Sequence, residues 1–164
     1  MRAAFIGRFQ VFHRGHHRVV EEYRDRYDDF VLVMGSPEKS RTEDNPMTAG
    51  ERKDIIRACF PNIDIIELED EGSTEEDNQR WAAKLGPETG ADVIISQNDL
   101  VKRLVTEYTD LELVEQELYD PDVYSGTEIR RRIRAGEDWR ELVPACAVET
   151  VEEHVDVIRE TKEG

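Results

Sequence analysis

The sequence predicts an α/β fold of the Rossmann-like type, with a central parallel sheet, helices on both faces and a helical segment at the C-terminus. Strand-length apolar stretches alternate with longer amphipathic stretches along the chain, as in proteins built from strand–helix–strand units. Three of the apolar stretches are continuous enough for strands that are buried on both faces. Ligands of such sheets bind at the carboxyl ends of the strands, where the strand order reverses.

Five strands and four helices are predicted in alternation. We expect strands at residues 3–6, 30–35, 63–68, 92–96 and 112–115. We expect helices near residues 15–27, 49–59, 75–84 and 100–108. A further helix begins near Ser125, and residues 138–161 indicate a short helix, a break at Pro144 and a final amphipathic helix.

Three helix starts carry the pattern of a capping box. In this pattern a hydroxyl and a carboxylate three residues apart satisfy the free N–H groups of the first helical turn. The predicted pairs are Thr48 with Glu51, Ser73 with Glu76, and Ser125 with Glu128.

Length and hydropathy indicate one cytoplasmic domain. The 164 residues fit a single compact domain, which we expect to span residues 1–164. No apolar run approaches the roughly 18 residues of a membrane span, and no N-terminal signal pattern precedes the first strand. We therefore expect a cytoplasmic protein that does not bind membranes.

The chain carries a formal net charge of −16, and its acidic residues are spread along its whole length. Such a charge argues against non-specific binding to nucleic acid or to an anionic membrane. It also suggests a halophilic, high-salt cytoplasm in which salt screens the repulsion between carboxylates. An ordinary acidic enzyme is the alternative, and composition does not separate the two.

The two cysteines, Cys59 and Cys146, are isolated in the sequence and lack the spacing of metal ligands. We expect both to be buried free thiols in a reducing cytosol. We also expect no metal site made of protein side chains, and we expect His17 to be a surface residue.

A phosphate site is predicted between the first strand and the first helix. Gly7 ends the strand, and His13 and His16 lie at the start of the helix, three residues apart and so on one face. A helix N-terminus offers free N–H groups and a positive dipole end to an anion. Arg8 adds a forked guanidinium donor, which suits the spread charge of a triphosphate.

Three ordered motifs resemble those of the HxGH nucleotidyltransferases, and most closely the archaeal type of nicotinamide-nucleotide adenylyltransferase. The first runs from Gly7 to His16 and is similar to the family's G-R-F-Q-P-F-H-x-G-H, with Val11 in place of the proline. Residues 45–52 resemble its N-P-F-T-A-G-E-R, and residues 124–133 resemble its Ser-x-Thr-x-x-Arg helix start. The resemblance extends to about Pro144 and implies a nucleotidyltransferase fold.

The resemblance implies that AMP is transferred from ATP to nicotinamide mononucleotide (NMN), giving NAD and pyrophosphate. It assigns catalysis to His13, His16 and Arg130, of which Arg130 matches the arginine of the last motif. The residues implied in ATP binding are Gly7, Arg8, Phe9, Gln10, His13, Gly15, His16, Tyr124, Ser125, Thr127 and Arg130. Mg²⁺ is expected on the phosphates of ATP rather than on protein ligands.

The resemblance places NMN near Gly35, Ser36, Asn78 and Trp81. An indole face is a favourable partner for the cationic nicotinamide ring. The alternative for Trp81 is that it anchors an amphipathic helix in the core, and the sequence leaves both open. The exit of the fourth strand, residues 96–99, departs from the family pattern, which leaves the base preference open.

The sequence leaves two rival functions open. One is an HxGH nucleotidyltransferase with another phosphorylated acceptor, such as phosphopantetheine, FMN or a polyol phosphate. The other is a nucleotide-binding regulator without turnover, against which the intact His13, His16 and Arg130 argue. The archaeal relatives imply a homo-oligomer.

Overall fold

The structure, a computed structural model, describes residues 1–115 and 123–161. Five parallel strands form one sheet in the order β3-β2-β1-β4-β5. The strands are β1 (Arg2–Gly7), β2 (Asp29–Gly35), β3 (Asp64–Leu68), β4 (Val93–Ser96) and β5 (Glu112–Glu115). The strand order reverses between β1 and β4, which is the position where open α/β sheets bind ligands.

Helices connect the strands and form the C-terminal segment. They are α1 (Arg14–Tyr23), α2 (Ala49–Cys59), α3 (Glu75–Thr89), α4 (Asp99–Tyr108), α5 (Gly126–Ala135), α6 (Val148–Glu152) and α7 (Val155–Glu160). Two 3₁₀ turns, Arg140–Leu142 and Ala145–Ala147, lie between α5 and α6. The predicted α/β fold with a parallel sheet is confirmed, whereas the single final helix of the prediction is two short helices.

The described chain divides into two compact units. Unit 1 contains Met1–Gly7, Val20–Ser36 and the described residues of 64–118, and it holds the whole sheet with α3 and α4. Unit 2 contains Arg8–Val19, Pro37–Ile63 and the described residues of 119–164. The single domain over residues 1–164 stays a prediction.

Unit 1 has a core of aliphatic side chains from the sheet and its connecting helices. β4 is buried along its whole length, and the central residues of β1 and β2 are buried too, as expected for parallel strands covered on both faces. The cluster consists of Ala4, Ile6, Val31, Val33, Leu68, Leu85, Ala91, Ile94 and Val105. This packing fixes the carboxyl end of β1, from which the first motif continues.

The helix starts follow the predicted caps in part. Thr48 and Glu51 form the predicted capping box of α2. The predicted box at Ser73 is wrong by one residue, because Thr74 is the N-cap of α3 and pairs with Asp77. Ser125 caps α5 through the N–H of Glu128, whose carboxylate bonds to Arg131 instead of turning back to Ser125.

The prediction of two buried free thiols is wrong. Cys59 and Cys146 form a disulfide with their Cα atoms 5.2 Å apart, within the ordinary range for this bond. Cys59 is half-buried and Cys146 is exposed. Their distance in sequence hid the pairing, since no spacing pattern links residues 87 positions apart.

Within residues 1–115 and 123–161, none of the helices is both long enough and apolar enough to cross a membrane.

Candidate active site

The two motif histidines lie face to face at the start of α1. Their ring centroids are 3.7 Å apart, with 24° between the ring planes. Nδ1 of His13 accepts a hydrogen bond from the N–H of Gly15 at 3.0 Å, and Nδ1 of His16 accepts one from the N–H of His13 at 3.2 Å. Because Nδ1 is an acceptor in both rings, each neutral imidazole carries its proton on Nε2.

Both imidazoles are neutral at pH 7 in the unliganded protein. His13 is 5% exposed, and burial lowers its pKa to about 4. Burial also lowers the pKa of His16, and the neighbouring charge of a protonated His13 lowers it further, because two stacked imidazolium rings repel each other. Each ring therefore offers one N–H donor, at Nε2.

Gly15 allows this stacked arrangement. A Cβ atom at position 15 would lie 2.8 Å from Cε1 and 3.0 Å from Nδ1 of His13. Those distances are too short for a side chain, so the His13 ring occupies the space that glycine leaves. The same position lies close to Cβ of Tyr124, at 3.9 Å, which brings the start of the last motif beside the first.

Two phenylalanines of the first motif support the ring of His16. Phe12 stacks on it with centroids 5.6 Å apart and 18° between the planes. Phe9 meets it edge-on, with centroids 4.9 Å apart. Both phenylalanines are buried, so they hold His16 by packing.

The loop before α2 is locked to the first motif by Gln10. The side-chain amide of Gln10 donates to the carbonyl of Met47 at 2.9 Å and accepts from the N–H of Met47 at 3.1 Å. Arg52, which is fully buried, donates from Nη1 to the carbonyl of Arg8 at 3.0 Å and from Nε to the carbonyl of Thr48 at 3.2 Å. Residues 45–52 thus hold Arg8 and Gln10 in place through hydrogen bonds.

Arg130 of α5 is buried against the first motif, with 5% of its surface exposed. Its Nη1 donates to the backbone carbonyl of Gln10, and its Nη2 lies 3.4 Å from Oγ1 of Thr127 and 3.8 Å from a carboxylate oxygen of Asp44. Within the part of the chain that the structure describes, its buried Nε has no hydrogen-bond partner. A Cβ at Gly126 would lie 2.7 Å from the Gln10 carbonyl oxygen, so the helix approaches this closely only because residue 126 is glycine.

Cationic side chains meet around Arg130. Burial lowers its pKa to about 10, and the charges of Arg8 and Arg134 add to the effect, whereas Asp44 opposes it. Arg8 is exposed, and its Nη1 lies 3.5 Å from Oδ1 of Asn45. In a chain of strongly negative charge, this group of guanidiniums and imidazole N–H donors is suited to bind an anion with several oxygens.

The remaining residues predicted for ATP lie next to this group in the chain. Ser125 is the N-cap of α5 and its hydroxyl is used by the helix, while Thr127 is exposed on the first turn. Gly7 is the last residue of β1. Arg131 and Arg132, the next two residues of α5, form ion pairs with Glu128 at 2.6 Å and 3.6 Å.

The four residues predicted for NMN lie in unit 1, on two elements. Gly35 ends β2, and Ser36 follows with a positive φ of 51° and donates its hydroxyl to a carboxylate oxygen of Asp70 at 2.7 Å. Asn78 and Trp81 are one turn apart on α3. Trp81 packs against the aliphatic core and Asn78 donates to Glu75, so the core-anchoring alternative for Trp81 has direct support and its role toward NMN stays a prediction.

Sequence reasoning did not give the contacts through which several residues shape the site. Arg52 and Gly126 act through contacts with backbone atoms far away in the sequence, and Asp70 meets Ser36 across such a distance. Gly126 is the first residue of α5, and its place in the sequence does not reveal the close contact with the carbonyl of Gln10. His17, expected at the surface, is half-buried, and its ring stacks on Phe60 with centroids 5.0 Å apart.

Comparisons with known proteins agree with the fold and the motifs. A family model described as cytidylyltransferase-like matches residues 4–132. A nicotinamide-nucleotide adenylyltransferase of Methanolobus tindarius is 40% identical over 93% of this chain and 88% of its own length. The proteins of the same name from Haloarcula marismortui and Archaeoglobus fulgidus are 38% and 35% identical, over 93% and 99% of this chain and 81% and 97% of their own lengths.

A solved structure shares the fold at low sequence identity. The bifunctional NMN adenylyltransferase/ADP ribose pyrophosphatase of Francisella tularensis superposes with a TM-score of 0.78 and 19% identity. The match covers 98% of this chain, which spans about half of the Francisella protein, 52% of its length. Together with the curated relatives and the family model, the motifs show that the chain belongs to the cytidylyltransferase-like family and, within it, to the archaeal nicotinamide-nucleotide adenylyltransferase family.

Proposed function

We propose that this protein transfers AMP from ATP to NMN, giving NAD and pyrophosphate. The observation that carries the proposal is the group of donors in unit 2, where the neutral rings of His13 and His16 stack at a helix start and Arg130 is buried beside Arg8. Such donors fit the oxygens of a triphosphate. The choice of NMN as the acceptor is supported by curated relatives that are named nicotinamide-nucleotide adenylyltransferase.

The reaction needs no protein nucleophile. An oxygen of the NMN phosphate attacks the α-phosphorus of ATP, a new P–O bond forms, and the bond from that phosphorus to the oxygen bridging to the β-phosphate breaks. Pyrophosphate leaves with the electron pair of the broken bond. The protein contributes positioning and stabilisation of the charge that develops on the phosphoryl oxygens.

Each donor then has a role that its contacts support. The Nε2–H of His16, held by Phe9 and Phe12, donates to an oxygen of the α-phosphate as charge grows in the transition state. His13 donates to a neighbouring phosphate oxygen. Arg8 and Arg130 neutralise the leaving pyrophosphate, which also relieves the mutual repulsion of the two guanidiniums.

Mg²⁺ is the proposed metal of the reaction and would be carried by the phosphates of ATP. The donor set fits this assignment, because N–H groups of imidazole and guanidinium bind phosphate oxygens and do not ligate a hard cation. When bound, Mg²⁺ neutralises phosphate charge. A crystal structure of the bifunctional Francisella tularensis protein contains AMP and a Mn ion.

The acceptor residues are proposed in unit 1. Ser36, whose hydroxyl is oriented by Asp70, and Gly35 offer polar contacts at the end of β2, and Asn78 and Trp81 offer an amide and an aromatic ring on α3. We further propose that the protein works as a homo-oligomer. We also propose that it works in a salt-rich cytoplasm, so its activity is to be measured in molar KCl as well as in dilute buffer.

An acceptor panel tests this function against its rivals. The purified chain is supplied with ATP and Mg²⁺ and with NMN, phosphopantetheine, FMN or glycerol phosphate in turn, and pyrophosphate release is followed. We expect release with NMN and formation of NAD in equal amounts. Pyrophosphate release with another acceptor and none with NMN would mean that the phosphate site is correct and the acceptor is not NMN. Binding of ATP without pyrophosphate release for any acceptor would favour the nucleotide-binding regulator.

A further inference from the structure

A second cluster of ligating side chains lies in unit 2 and consists of residues that are not proposed for the nucleotide. Cys59 ends α2, Cys146 lies in the 3₁₀ turn Ala145–Ala147, and His17 lies on α1. One ligand atom from each, two sulfurs and one imidazole nitrogen, lie within 4.8 Å of one another. In the described ranges this is the one group of three or more histidine, cysteine and carboxylate side chains close enough to hold a metal ion.

The distances suit a tetrahedral ion once the sulfurs are separate thiolates. Zn–S and Zn–N bonds of ordinary length place the ligand atoms of one ion roughly 3.5–3.8 Å apart. The nitrogen of His17 lies within 4.8 Å of both sulfurs. In the disulfide the two sulfurs are bonded to each other, so the oxidised pair offers no thiolate to an ion.

The sulfurs can be reached from solvent, and the imidazole of His17 is held in one orientation. Cys146 is exposed, so a metal ion and a reductant reach the sulfurs from solvent. Cys59 and His17 are half-buried, and the imidazole is held in place by the ring of Phe60, with 29° between the planes. One ligand is therefore oriented before any ion arrives, which lowers the entropy cost of binding.

We propose that Cys59, Cys146 and His17 form a redox-gated binding site for a soft divalent cation of the Zn²⁺ class. A dithiol reductant supplies two electrons and two protons, the S–S bond becomes two thiols, and the reductant is oxidised to its own disulfide. Zn²⁺ then binds two thiolates and one imidazole nitrogen, and the two thiol protons go to solvent. Thiolate and imidazole ligands select such an ion over Mg²⁺, and water takes the fourth position.

Cobalt binding tests the proposal without ATP and without any measurement of activity. The full chain is reduced with a phosphine, and the phosphine is then removed under anaerobic conditions. The reduced protein is titrated with Co²⁺, whose thiolate complexes absorb in the near ultraviolet. We expect one Co²⁺ per chain with a thiolate band, displacement of Co²⁺ by Zn²⁺, and no band in the oxidised protein. His17→Ala should weaken Zn²⁺ binding by about tenfold or more.

One variant acts as a control, and the fold of the test variant is checked separately. His154→Ala removes a histidine outside the cluster and should bind Zn²⁺ like the parent chain. His17→Ala keeps both cysteines, so the circular dichroism of its oxidised form shows whether it is folded. A reduced protein without a thiolate band, an equal band in the oxidised protein, or unchanged Zn²⁺ affinity in a folded His17→Ala variant would each overturn the proposal.

Discussion

Among the single residues, His13 makes the stability of the protein depend on pH. Its pKa is about 4 in the folded chain, against the ordinary value of 6.5 that the unfolded chain restores. As the pH falls below 6.5, the unfolded chain binds a proton that the folded chain does not, so the free energy of unfolding decreases until His13 itself is protonated near pH 4. Between about pH 7 and about pH 5 this amounts to about 2 kcal/mol.

The variant His13→Asn measures this contribution. Asparagine does not titrate and its side-chain oxygen can still accept from the N–H of Gly15, so we expect the variant to lose about 2 kcal/mol less than the parent chain over the same pH interval. Urea unfolding at the two pH values gives both numbers. Equal losses in the two proteins would show that His13 is not held neutral by burial.

Replacement of Gly15 tests whether the position of the His13 ring matters for the reaction. A methyl group there collides with the His13 ring, so Gly15→Ala should displace the ring and slow NAD formation by about 10²-fold, as misplacement of a reacting group by about an ångström does. Gly50 is the matched control, because it is also the second residue of a helix and its Cβ would meet its nearest atom only at 3.9 Å. If Gly50→Ala is as slow as Gly15→Ala, the contact with His13 is not the cause.

Helix α5 must approach the first motif closely for Arg130 to reach the carbonyl of Gln10. A methyl group at Gly126 would meet that carbonyl at 2.7 Å and Nη1 of Arg130 at 2.9 Å, and backbone cannot turn aside as a flexible side chain does. We expect Gly126→Ala to raise the KM for ATP by about tenfold and to destabilise the fold by about 1–3 kcal/mol. Steady-state kinetics and urea unfolding check the two effects.

An unchanged KM in Gly126→Ala would mean that Arg130 does not bind the triphosphate from its observed position. A loss of stability alone would point to packing of α5 without a role for the helix in ATP binding.

The elements themselves were largely predictable, because apolar alternation reports burial directly. The predicted bounds of α2 and β5 agree with the structure residue for residue. The prediction for α3 stopped at residue 84, before Gly86 and Pro87, which ordinarily end helices; the helix instead continues to Thr89 and ends at Gly90 in the left-handed conformation. The C-terminal segment was less predictable, since the short helices there form by packing more than by periodicity.

The candidate site residues were named by motifs, whereas the contacts between residues distant in the sequence were not predictable. His13, His16 and Arg130 followed from pattern, and the structure brings their motifs together. The bracing of Arg8 by Arg52 and the fit of Gly126 against Gln10 depend on tertiary packing that no spacing reveals.

For the whole molecule, the disulfide between Cys59 and Cys146 closes a loop over a sequence separation of 87. A crosslink over such a distance restricts the unfolded chain and typically stabilises a fold by about 2–4 kcal/mol. We expect Cys59→Ser together with Cys146→Ser to lower the free energy of unfolding by that amount, measured by urea unfolding in the presence of a chelator. Equal stability of the oxidised parent and the double variant would contradict a formed disulfide.

NAD formation in His16→Ala tests the proposal that the stacked histidines bind the phosphates of ATP for AMP transfer. With ATP labelled at the α-phosphorus, NMN and Mg²⁺, the parent chain should place the label in NAD, and His16→Ala should be slower by about 10²–10³-fold. Arg131→Ala, which removes an arginine paired with Glu128 and Glu137, should keep the parent rate. Labelled NAD formed at the parent rate by a folded His16→Ala variant would show that His16 does not act on the phosphates of ATP in the transfer.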